Sequence, residues 1–195
     1  MSLTTLSGVN AYKGWTTGEN TARDTQITAM IDGISARFET YCDRKFNSAT
    51  YTQYYNGEGG RHLYLDQYPI TSIANIWSDA SWVWGSGTLV SGTKYRIVQN
   101  GQGVVFYDTI TKGEQNIKIT YTAGYTAIPA DLQEACNEET ADAWKDSTKS
   151  TGAVKSKTLP DGSVVYGEGG SSGYTPPFKA ATMDILERYR NKHIV

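Results

Sequence analysis

Two cysteines, two histidines and no surplus of positive charge are the scarcities that most constrain this 195-residue chain. Cys42 and Cys136 each fall in a helical pattern, which suits buried thiols in a reducing compartment better than a disulfide framework, although spacing alone leaves a pairing open. A nucleophile paired with a base needs a histidine, and the choice is His62 in a strand pattern or His193 at the C-terminus. No G-x-S-x-G elbow and no paired Cys/His spacing for zinc occur, so the reading assigns no catalytic residue, no metal and no cofactor. Acidic residues number 20 against 18 basic ones, which argues against tight, sequence-independent DNA binding. Lys149, Lys155 and Lys157 form the best local basic candidate, with a solvated loop as the plainer reading. Long apolar runs are missing too, and residues 1–10 lack the basic and apolar regions of a leader, so a soluble, unexported protein without membrane contact is expected.

What is abundant is aromatic: 14 tyrosines and 5 tryptophans. Such a load serves stacking on sugars or bases, and it equally dominates protein-protein hot spots. Residues 1–20 have no apolar period and read as an N-terminal arm, with Tyr12 and Trp15 as anchors. From Asp24, Ile27, Met30, Ile31, Ile34, Phe38 and Tyr41 recur at steps of three and four, placing a helix up to about Cys42. Between about 50 and 122 the period falls to two, in six short runs that read as antiparallel strands. Asn56 to Gly60 and Asn100 to Gly103 supply turn chemistry, so both joints read as hairpins. Trp82 and Trp84, set among Gly and Ser, read as the tip of a protruding loop. Asp66, Asp79, Asp108 and Glu114 sit near strand ends, where turn and acid-base roles are indistinguishable by pattern.

Pro129 opens a second helix reaching about Lys145. Residues 147–173 read as a hairpin around Pro160-Asp161-Gly162 and a Gly/Ser linker, and residues 174–195 as a third helix. Its face of Phe178, Ile185, Leu186 and Tyr189 fits a groove on a partner or another subunit, or equally its own protomer. The fold class is therefore α+β: a small bundle of three main helices with an inserted antiparallel β region and extended flexible arms, the core running from 21 to 146.

Three segments carry a resemblance: Tyr41-Cys42-Asp43-Arg44-Lys45-Phe46, then Leu63 to Ile73 with Tyr68-Pro69-Ile70, then Tyr121 to Leu132 with Ala123-Gly124-Tyr125 and Pro129-Ala130-Asp131. In this order they resemble the head-tail connector (adaptor, head completion) proteins of tailed bacteriophages. The resemblance implies a non-enzymatic neck protein, located in the virion and in the host cytoplasm during assembly. It implies a ring, a dodecamer in the family, that binds the portal protein, completes the DNA-filled head and meets other neck or tail-completion proteins. Genome DNA would pass through the channel without specific binding. Trp82 and Trp84 then become a possible neck or tail contact. A β-rich carbohydrate- or surface-binding module and a small hydrolase built on His62 are the competing classes.

Overall fold

The computed structural model describes residues 2–148, 156–159, 162–165 and 178–191. Its first helix, α1 (Leu6–Lys13), lies inside the segment expected to be an arm. Thr5 caps it by accepting the Gly8 N–H at 3.1 Å, and Gly14 ends it in the left-handed conformation. Eight residues are too few to hold a helix in water, so its order comes from burial. Leu3 and Val9 are buried, Leu3 N–H donates to Ser35 Oγ at 2.9 Å, and Thr4 Oγ1 donates to Asn137 at 2.6 Å. Trp15 does anchor the segment, packing edge-on against Trp144 at 6.4 Å, whereas Tyr12 is exposed.

Helix α2 (Thr21–Cys42) is capped by Asn20 and closed by Asp43 in the left-handed region, whose N–H returns to the last turn. Its predicted stripe is real: Ile27, Ile31, Ile34 and Phe38 are buried, and Met30 and Tyr41 are half-buried at its margins. Helix α3 (Ala130–Thr148) and helix α4 (Ala180–Tyr189) pack on it, with Leu132, Ala135, Cys136, Phe178 and Leu186 closing the helical core.

The β region holds two sheets rather than the single small one expected. Strands β1 (Ala49–Gly57) and β3 (Ile70–Ser78) flank β6 (Gly113–Ala123) in the order β1-β6-β3. Strands β2 (His62–Tyr64) and β4 (Tyr95–Ile97) flank β5 (Gly103–Phe106) in the order β2-β5-β4. All pairings are antiparallel. The Asn100 to Gly103 joint is a hairpin as expected, but Asn56 to Gly60 is not one, because β1 pairs with β6 while β2 crosses to the other sheet. Leu63, Val104 and Phe106 from the second sheet meet Ile76, Ile117 and Ile119 from the first, so the sheets share a core separate from the helical one.

Strands β7 (Ser156–Leu159) and β8 (Gly162–Val165) pair as the hairpin predicted around Pro160 and Asp161, which themselves lie outside the described residues. The predicted linker at 167–173, Lys149, Lys155 and His193 also fall outside them. Among the described residues no helix is long and apolar enough to cross a membrane.

Candidate interaction surfaces

The three segments that carried the resemblance converge on one buried cation. Arg44 is 3% exposed, and its guanidinium carbon lies 3.6 Å from the Tyr68 ring centroid, 5.3 Å from Phe46 and 5.5 Å from Tyr125. Its Nη2 donates to the Tyr68 carbonyl. Backbone bonds seal the junction: Tyr125 N–H donates to Phe46 O at 2.7 Å, Ser48 N–H to Tyr125 O at 3.1 Å, and Gly124 N–H to Pro69 O at 3.0 Å. Gly124 has φ of 107°, and a Cβ there would sit 2.5 Å from the Asn47 carbonyl oxygen, so no side chain fits. Tyr68 Oη reaches on to the carbonyls of Tyr189 and Arg190. The junction thus fixes the angle between the helical end and the sheet end.

Beyond the far end of β3, Asp79 builds the tryptophan loop. It is 6% exposed, and its carboxylate accepts Ser81 Oγ at 2.6 Å and the N–H groups of Ser81, Val83 and Trp84 at 2.8, 3.2 and 2.8 Å. These donors hold Trp82 and Trp84 at positive φ, 58° and 56°, a conformation costing about 1–2 kcal/mol per non-glycine residue. Trp82 Nε1 also donates to the Glu114 carbonyl at 3.2 Å. The result is a fixed tip with Trp82 60% and Val83 76% exposed.

Trp84 turns back from that tip. Its ring lies 5.6 Å from Tyr54, and Lys118 Nζ sits near Trp77, Trp84 and Tyr54 at 4.9, 5.9 and 6.0 Å. Tyr54, Lys118 and Trp77 are one cross-strand row, which is why the sequence could name the two tryptophans of the loop and not their partners.

Hydrogen bonds from Ser81 Oγ and N–H, then from Trp84 and Val83, hold the Asp79 pKa below the ordinary aspartate value, with desolvation opposing them. A depressed carboxylate pKa makes its contribution to loop order complete above the unfolded value and lost as pH falls through the folded one. Acidification through that window should therefore release the loop and shift tryptophan emission in the native chain. Asp79→Asn should show the released spectrum already at neutral pH; an acid transition unchanged in the variant would refute the assignment.

The C-terminal residues, whose face suits a groove or its own protomer equally, pack here within the protomer. Phe178 and Leu186 are buried and Ile185 and Tyr189 half-buried against α2 and α3, because the same apolar stripe finds its complement on Phe38, Cys42 and Leu132. Phe178 stacks edge-on against Phe38 at 4.9 Å, and Tyr189 Oη donates to both Asp131 carboxylate oxygens at 2.8 and 2.9 Å.

Groups with potential chemistry are dispersed or quenched. Burial pushes the Cys42 thiol up to about 12 and the Cys136 thiol to about 11, which leaves negligible thiolate at neutral pH. His62 is exposed and stacks on Tyr64 at 6.4 Å. Among the described residues no three His, Cys, Asp or Glu side chains converge to hold a metal.

Comparison with solved structures finds similar folds. The chain is similar to a chain in the neck of an empty gene transfer agent (GTA) particle computed with C6 symmetry, with a TM-score of 0.60 and 16% identity over 97% of this chain and 90% of that one. It is also similar to a chain in the virion of the native particle, at 0.57 and 17%, covering 100% and 96%. A chain in the native neck computed with C12 symmetry gives 0.53 and 17% over the same shares. No curated protein matches the chain. Residues 5–191 match a family that spans α1, the Arg44 junction, both sheets and α4 as one unit, so the chain belongs to the head completion protein family.

Proposed function

We propose that the chain is a structural component of the neck of a tailed phage-like particle: a head-tail connector that seats on the portal vertex as a ring, completes the DNA-filled head and offers the surface on which the tail is attached. The observation that carries this reading is the family match across residues 5–191, joined by a fold likeness to neck chains over nearly the whole length. A connector needs rigid display of contact surfaces rather than a reactive group. The Asp79-built loop, with Trp82 and Val83 held outward, is such a surface for the next neck or tail component. The genome would pass without being gripped, in keeping with the slightly acidic charge balance.

Particles assembled without the chain should accumulate heads that fail to join tails, and supplying the chain should restore joining. Trp82→Ala with Val83→Ser should fold with the native unfolding midpoint, since both side chains are exposed, and yet fail to restore tails. Full joining in particles lacking the chain would overturn the reading, and full joining with the loop variant would remove the loop from it.

A further inference from the structure

The outer face of the second sheet gathers cations in a slightly acidic chain. Arg96 on β4, Val105 on β5 and His62 on β2 lie in one cross-strand row, and Arg61 precedes β2 at its edge. A groove on this face is lined by Arg61, Lys94, Arg96 and Tyr107. Among the described residues Arg61 donates only to backbone carbonyls, those of Phe106 and Tyr107, so hydrogen bonds orient its charge without neutralising it. Arg96 is exposed, with no partner among the described residues, whereas Lys94 is paired with Asp108 at 2.8 Å. Tyr64 and Tyr107 are 45% and 69% exposed, giving the arginine-tyrosine composition of an interface core.

A chain with 20 acidic and 18 basic residues that gathers cations on one face must be more acidic elsewhere, and α3 is where it is. Glu134, Glu138 and Asp142 stand at steps of four and form one stripe. Lys179 serves both Glu138, at 2.8 Å, and Asp142, while Glu134 is exposed and has no partner among the described residues. The stripe belongs to the helical end and the cationic groove to the sheet end, on elements with separate cores. A closed ring requires two different patches on each copy, facing opposite neighbours.

Resting on the connector reading above, we infer that the cationic groove of the second sheet receives the Glu134/Glu138 stripe of α3 from the adjacent copy, forming the head-to-tail contact of the ring. A second copy is favoured over nucleic acid because the chain has no surplus of positive charge and Lys94 is already paired with Asp108, which leaves too few free cations to hold a phosphate backbone.

The experiment uses particles carrying the full chain. Arg61→Glu/Arg96→Glu and Glu134→Lys/Glu138→Lys should each reduce copies per particle by about tenfold or more, since each places like charges in contact across the interface. The chain with all four reversals should recover, because the two patches are again complementary. Unfolding curves separate assembly loss from misfolding. Independently, zero-length carbodiimide coupling of the native particle should join Lys94 of one copy to Glu134 or Glu138 of the next, with Lys94 to Asp108 as the internal control. A particle-bound ring that yields only the control cross-link overturns this inference and spares the connector reading. So does a groove variant that keeps full copy number but loses contact with the genome. Absence of the native chain from the particle overturns the connector reading itself.

Discussion

Arg44→Ala should cost the protomer about 3–5 kcal/mol, a large share of the 5–15 kcal/mol that holds a typical domain together. Arg44 is 3% exposed, and its guanidinium faces three aromatic rings within 5.5 Å and donates to the Tyr68 carbonyl. A desolvated cation-π contact is worth about 2 kcal/mol, and a hydrogen bond from a charged donor about 1.5–3 kcal/mol. Their sum is reduced because the variant no longer has to bury a charge. Alanine also leaves a void between rings that belong to different segments, which would loosen the hinge between helices and sheets. Arg44→Lys should recover only part of the loss, since an ammonium cannot lie flat on Tyr68 while donating to its carbonyl. Denaturant unfolding gives the comparison directly: a change below about 0.5 kcal/mol for Arg44→Ala, the range of surface substitutions, would mean the cage holds nothing.

The junction shows which information a sequence displays and which it withholds. Arg44 and Phe46, Tyr68-Pro69-Ile70 and Ala123-Gly124-Tyr125 were each visible as punctuation at the end of an element. Nothing local states that residues 44, 68 and 125 touch, because their contacts depend on how two sheets and a helix close on each other. The six strands were legible one by one from their period of two, whereas the order β1-β6-β3 was not: pairing is a long-range choice, and turn chemistry at Asn56 to Gly60 suggested a hairpin the chain does not make. Helix α1 escaped because eight residues show too little periodicity. Its signals were its caps, Thr5 and Gly14, and the spacing of Leu3, Leu6 and Val9.

The candidate surfaces divide along the same line. The exposed tryptophan tip was legible from Trp82 and Trp84 among small residues. The four strand-end acids were not separable, and the fold gives each a different task. Asp79 organises the loop, Asp66 accepts from Gln53, Asp108 pairs with Lys94, and Glu114 offers its backbone carbonyl to Trp82. Tyr54 and Lys118 joined the surface only through strand register, and Arg61 met Arg96 only through the order of the second sheet.

Ending the chain at Gly173 should abolish cooperative unfolding and send the protein into aggregates. The helix α4 stripe that suits a groove on a partner is occupied at home. Leu186 is fully buried, Phe178 is clasped by Phe38, Tyr41 and Arg37, and Tyr189 is bonded to Asp131. Asn191 N–H closes the end on the Cys42 carbonyl at 2.8 Å, and Lys179 N–H meets Glu139 at 3.0 Å. Burying one large apolar side chain is worth about 1.5–3 kcal/mol, so removing Phe178, Ile185, Leu186 and Tyr189 forfeits about 5–10 kcal/mol even with partial burial. That loss is comparable to the whole stability of a typical domain. It also strips Phe38, Cys42 and Leu132 of their cover and creates an apolar patch with no owner. Leu186→Ala tests the same contact more gently and should cost about 2–5 kcal/mol by cavity formation. A truncated chain that stays monomeric and unfolds at the native denaturant midpoint would show that α4 is detachable, and the helix would then be free to dock on a partner.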